Sequence, residues 1–209
     1  MDQPVCHLGL RRRRSGFTMV ELLIVVAIVA LLMSLLLPVC AAGLAAARQA
    51  ACLTNLRSLA TAVRLYTGDH RGAYPRAWAG DTCRWMDLLE PYVDKKAETY
   101  CCPSDDARVP LPWDDQITMS YGINCFRFKD DAHCFWYGVS TIAVKRPAET
   151  ILLADCTPGR YYVGGGNRFR EPVPGVDYRH SDESFNAVFC DGHAETLKET
   201  TREDWDASQ

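Results

Sequence analysis

Hydrophobic and polar positions divide this chain into stretches of different period. Residues 17–39 are apolar with almost no interruption, and Glu21 is the only charged side chain in the run. About 20 such residues in helical form are enough to cross a bilayer. Residues 40–66 are Ala- and Leu-rich and free of proline, with Leu53, Leu56, Ala60 and Val63 at three- and four-residue steps. Arg48, Asn55, Arg57 and Arg64 fall mostly off that stripe, the pattern of an amphipathic helix. The two stretches predict one long helix of about 50 residues and on the order of 75 Å, half in lipid and half against a protein surface. Pro38 is expected to kink it, and Gly68, Asp69 and Gly72 to end it.

Beyond residue 69 the periods shorten. Residues 69–80 predict a loop ending near Tyr74-Pro75, 83–93 a short helix or turn that buries Trp85, Leu88 and Leu89, and 98–112 a loop. Residues 118–124 and, more strongly, 150–156 predict strands. Residues 157–176 contain Gly164-Gly165-Gly166 and predict a long loop. Residues 185–190 and 193–197 flank Asp191-Gly192, a strong hairpin signal. The implied class is α+β, a long N-terminal helix packed on a small, mostly antiparallel sheet. The segments are 1–16, a basic leader; 17–39, the membrane and assembly helix; 40–68, its amphipathic continuation; and 69–209, an exported globular domain.

Charge sharpens this division. Residues 1–16 carry Arg11, Arg12, Arg13 and Arg14 against one acid, while the remainder carries −6. Basic residues before an apolar segment stay on the cytoplasmic side. The acidic remainder offers no nucleic-acid surface.

Ten cysteines is a high count, and seven of them (Cys83, Cys101, Cys102, Cys125, Cys134, Cys156, Cys190) lie in the exported part. That fits an oxidising compartment. The zinc reading needs paired CxxC-type spacings, and none is present. Placement suggests Cys156 with Cys190, Cys125 with Cys134, and Cys83 with Cys101 or Cys102 as disulfide candidates, although connectivity is not readable from sequence. Trp78, Trp85, Trp113, Trp136 and Tyr137 suit core and loop packing, with a surface patch for a partner as the alternative. No Ser or Cys nucleophile has an assignable His partner, and the triple glycine lacks the lysine of a P-loop. No enzymatic activity is expected.

Four readings compete for the N-terminus. A plain signal anchor explains the arginines and the apolar run but leaves Glu21 without a role. A cleaved secretory signal has a shorter apolar region. A lipoprotein box at Leu37-Pro38-Val39-Cys40 has the wrong residue before the Cys, and a twin-arginine signal is less apolar. The register Gly16, Phe17, Glu21 and Pro38 instead resembles type IV pilins and type II secretion pseudopilins. The resemblance implies cleavage by a prepilin peptidase after Gly16, N-methylation of Phe17, and assembly with identical or related subunits and inner-membrane machinery. Chemistry supports the implied role of Glu21. A carboxylate in lipid costs at least about 2.5–3.5 kcal/mol, and the new Phe17 amine of a neighbouring subunit would neutralise it and set the register.

Further motifs resemble pseudopilin-like proteins with a C-terminal H-X9-DG-type motif. These are Tyr74-Pro75, Cys102-Pro103-Ser104-Asp105, Ser120 to Asn124, and Arg179-His180 followed after ten residues by Asp191-Gly192-His193. The spacing is one residue longer than the usual nine. Major pseudopilins often hold a structural calcium in this region. Calcium prefers oxygen, so Asp155, Asp182 and Asp191 suit it better than His180 or His193. The simpler reading makes Asp191-Gly192 a turn and His180 a packing residue. The expected role is a filament subunit anchored in the cytoplasmic membrane with its C-terminal domain outside. The alternative is a membrane-tethered binding module for a cation or ligand that does not polymerise.

Overall fold

A computed structural model describes residues 17–80, 83–93, 97–166 and 169–209. The chain divides into two compact units, residues 1–42 and 43–209. The helix α1 (Met19–Asp69) contributes residues to both.

In the first unit the described helix presents its side chains to the outside throughout. Its most apolar window has a mean hydropathy of 3.1 and none of it is buried, so it is long and apolar enough to cross a membrane. Leu, Val, Ile and Ala carry it without a glycine between Met19 and Ala42. It continues through Pro38 as helix.

In the second unit α1 buries Cys52, Leu56, Leu59, Ala60, Ala62, Val63 and Tyr66, one stripe at helical spacing. The stripe is centred on Cys52 rather than on Leu53, which is half-buried. The helix closes as expected, with the Gly72 amide donating to the Thr67 carbonyl at 2.8 Å and Gly72 at φ 78°. The short helix α2 (Trp85–Leu89) follows, and the Trp85 indole N–H donates to the Tyr161 carbonyl at 2.7 Å.

The strands are β1 (Pro110–Leu111), β2 (Asp114–Thr118), β3 (Tyr121–Phe126), β4 (Ile151–Asp155), β5 (Tyr162–Gly166), β6 (Phe185–Phe189) and β7 (Ala194–Leu197). The first two form a small ribbon, and the others form a sheet in the order β5-β3-β4-β6-β7. All its pairings are antiparallel except β3 with β5. The hairpin across Asp191-Gly192 forms as the sequence predicts. Three strands fall outside the expectation: β1 within the predicted 98–112 loop, β2, and β5 within the predicted 157–176 loop. The last of these carries the three glycines, and β3 crowds the first of them. A Cβ on Gly164 would lie 2.6 Å from the Phe126 ring, and its φ is +82°.

The strands β3, β4 and β6 are buried along their whole length. Alternation along a strand sends successive side chains to opposite faces. Tyr121, Ile123, Cys125, Leu153 and Val188 join the core with α1 and Trp85. Phe126, Ala154, Phe185, Ala187 and Phe189 join a second core with Trp205. The same parity places Asp155 and Asn186 on the face covered by α1.

Candidate functional site

At the N-terminus, Gly16 and the four arginines lie outside the described residues. Phe17 is exposed, and Glu21 sits in the first turn of α1. The Thr18 backbone N–H and hydroxyl both donate to Glu21 Oε2, at 2.9 and 2.8 Å, and the Glu21 amide donates to Thr18 Oγ1 at 3.2 Å. This reciprocal pair is a capping box. Its sequence signal, Thr followed three residues later by Glu before an apolar run, was available and overlooked. Glu21 therefore has a local structural role even in a single chain, alongside any role between subunits.

The second site is a buried cluster under α1. Cys52 from α1, Cys102 from the loop before β1, Asp155 at the end of β4 and His180 from the segment before β6 place one sulfur, nitrogen or oxygen each within 4.8 Å of one another. Cys52 Sγ lies 3.5 Å from Asp155 Oδ1. Cys102 Sγ lies 3.7 Å from His180 Nε2, and His180 Nε2 lies 3.0 Å from Asp155 Oδ2. Cys52, Cys102 and Asp155 are fully buried, and the His180 side chain is 1% exposed.

Neighbouring donors orient these atoms. The Asn186 backbone N–H donates to Asp155 Oδ2 at 2.7 Å, the Tyr121 hydroxyl to Cys52 Sγ at 3.3 Å, and the Ser104 backbone N–H to Cys102 Sγ at 3.4 Å. Hydrogen bonding from Cys52 pulls Cys102 down to about 5, against burial and with help from His180. Burial pushes the Cys52 thiol up. Burial works against a charge on His180, but its bonds to Asp155 and Cys102 prevail and raise it to about 9.

Two motifs of the sequence meet here in parallel. Cys102 faces His180, and one turn on, Asp105 pairs with Arg179 at 2.9 Å. Arg179 also pairs with Asp177 at 2.9 Å and donates to the Cys156 carbonyl. The Ser120 hydroxyl completes the group by donating to Asp105 at 2.7 Å.

The expected calcium set is not assembled. Asp155 is interior, while Asp182 is exposed and pairs with Lys198 at 3.1 Å. Asp191 lies beyond the far end of β6, in the hairpin turn, where its carboxylate meets His193 Nδ1 at 2.6 Å. His180 and Asp191-Gly192 bracket β6, so their spacing in sequence is that strand plus the turn before it and Cys190 after it. The histidine serves the buried cluster, and the glycine, at φ +97°, serves the turn.

The disulfide pairings are corrected as well. All nine described cysteines are free thiols. Cys156 follows β4, whereas the Cys190 amide bonds Thr150 just before β4. The two thus sit about six residues, or roughly 20 Å, apart along the sheet, far beyond the separation a disulfide spans. Cys134 Sγ donates to the Cys125 carbonyl at 3.8 Å. Cys101 Sγ donates to the Thr118 carbonyl at 3.4 Å, and Cys102 turns inward to the cluster, so neither is joined to Cys83. Cys52, from α1, is the one brought to Cys102.

Residues 11–37 match the family model described as the prokaryotic N-terminal methylation motif. Together with the long helix and α+β head, that match supports a type IV pilin-like protein, made as a prepilin and anchored in the membrane by a single apolar helix. The motif implies processing by prepilin peptidase and association with pilin-like subunits. No curated protein and no solved structure matches the chain.

Proposed function

We propose that this chain is a structural subunit of a type II secretion pseudopilus or a related type IV pilus-like filament. The observation that carries the reading is the methylation-motif match over residues 11–37. Peptidase cleavage after Gly16 exposes the Phe17 amine, which is then methylated. The subunit waits in the inner membrane with its head in the periplasm or outside, and polymerises through α1. An apolar helix surface this extensive needs lipid or neighbouring helices to cover it. In the filament, the Phe17 amine of one subunit pairs with Glu21 of another, which offsets the cost of a carboxylate in an apolar bundle.

The test is the mass of the mature protein. Loss of Met1 to Gly16 with gain of one methyl group is the expected result, together with recovery of the protein in sheared filaments. A full-length N-terminus on a protein found only as single molecules would overturn it.

A further inference from the structure

We propose that Cys52, Cys102, Asp155 and His180 bind one zinc ion in a closed tetrahedral site that clamps α1 to the sheet. This is independent of the filament reading, because every ligand lies in the second unit.

The distances fit. Zinc holds thiolate sulfur at about 2.3 Å and imidazole nitrogen or carboxylate oxygen at about 2.0–2.2 Å, so a tetrahedron has ligand-to-ligand edges of about 3.3–3.8 Å. The sulfur–oxygen edge here is 3.5 Å and the sulfur–nitrogen edge 3.7 Å. The nitrogen–oxygen edge, 3.0 Å, is slightly short, and all four atoms lie within 4.8 Å of one another. Two sulfurs exclude calcium and magnesium as preferred occupants, and a tetrahedral set with two sulfurs selects zinc. Four protein ligands leave no open position, which is the arrangement of a structural site.

A second observation points to a cation. His180 Nε2 has either one proton or one lone pair, yet Asp155 Oδ2 at 3.0 Å, Asn186 Nδ2 at 2.9 Å and Cys102 Sγ at 3.7 Å all address it. The Asn186 amide is oriented by a relay. Gln49 donates to Thr196 Oγ1 at 2.9 Å, and Thr196 donates to Asn186 Oδ1 at 2.6 Å, which turns the amide nitrogen toward His180. A protonated Nε2 then meets Asn186 donor to donor. An unprotonated Nε2 meets Asp155 acceptor to acceptor. Neither form satisfies its surroundings, and buried unsatisfied groups are costly. An ion at the centre takes the lone pairs of Nε2, Asp155 and the two sulfurs together, which removes the acceptor-to-acceptor clash between His180 and Asp155.

Binding releases two protons, one from the Cys52 thiol and one shared between Cys102 and His180, since thiolates and a neutral imidazole are the ligating forms. The product, zinc with two thiolates, one carboxylate and a neutral imidazole, carries −1. Arg179, adjacent in sequence to His180 and held by Asp105 and Asp177, places a guanidinium beside it. The amide and hydroxyl donors to Cys102, Cys52 and Asp155 match the outer shell that orients metal ligands.

The test uses the full chain purified in detergent. Metal analysis should find one zinc per chain. Exchange of zinc for cobalt should produce thiolate-to-cobalt charge-transfer and tetrahedral d–d absorption. Both signals should vanish in Cys52→Ser/Cys102→Ser and persist in Cys83→Ser. If the double variant fails to fold, the cobalt spectrum of the unmutated chain decides, because its charge-transfer intensity reports sulfur ligation directly. The proposal falls if the folded, reduced chain takes up neither metal or if the double variant keeps its zinc. It also falls if protein alkylated in native membranes shows a Cys52–Cys102 disulfide.

Discussion

The two units of this protein organise polar groups on different scales. In the apolar segment, polar contacts are local: Glu21 with Thr18, and Ser34 with the Leu31 carbonyl at 2.7 Å, each three residues apart. In the head, Cys52 meets Asp155 across 103 positions, Cys102 meets His180 across 78, and Gln49 meets Thr196 across 147. A membrane segment has no water and satisfies its backbone within itself. The head instead buries its polar side chains only because the fold brings partners to them. Damage to the first unit should therefore stay local, whereas damage to the second should spread through the core.

On the stability scale, the largest effect should come from Arg179→Ala. It leaves Asp105, 5% exposed, without its cation, and breaking a buried pair this way costs about 3–5 kcal/mol. Denaturation of the full chain in detergent, followed by tryptophan fluorescence, should show that loss. Helical circular dichroism from the apolar segment should persist; its collapse together with the head would break the contrast.

Removing the proposed zinc comes next. At free ion a hundredfold above Kd, binding contributes about 2.7 kcal/mol. At about 2–4 °C per kcal/mol for a domain of this size, a strong chelator should lower the Tm of the head by roughly 5–11 °C, and added zinc should restore it. An unchanged Tm after demonstrated metal loss would show that the head does not depend on a clamp.

Thr18→Ala should act at the helix start alone. Losing the cap costs about 1 kcal/mol, visible as faster amide exchange in the first turn of α1 with the head midpoint unmoved. Glu21→Gln should have the smallest effect on stability, because glutamine preserves a capping box while removing the charge. That variant separates the two roles of the residue. Under the proposed function it folds normally and fails to assemble; filaments formed at the normal rate would leave Glu21 with the cap alone.

How much was legible in advance follows the same division. The apolar run, its cap signal, the amphipathic stripe and the hairpin at Asp191-Gly192 each depend on neighbours within a few residues. Spacing alone reveals such features. β5 was missed because its glycines read as loop, and only the Phe126 ring against Gly164 explains a glycine at that position in a strand. The disulfide expectations failed for a related reason. Sequence places Cys156 and Cys190 each at a strand end, but only the register of β4 against β6 shows that these are opposite ends.

By itself, the order of residues determined a membrane-length helix, its polar cap and the α+β class, since these follow from local periodicity and chemistry. Tertiary structure alone decided that Cys52, Cys102, Asp155 and His180 share one pocket while Asp182 and Asp191 stand outside it. Strand parity, strand register and the docking of α1 set that grouping, and no fixed spacing along the chain encodes them.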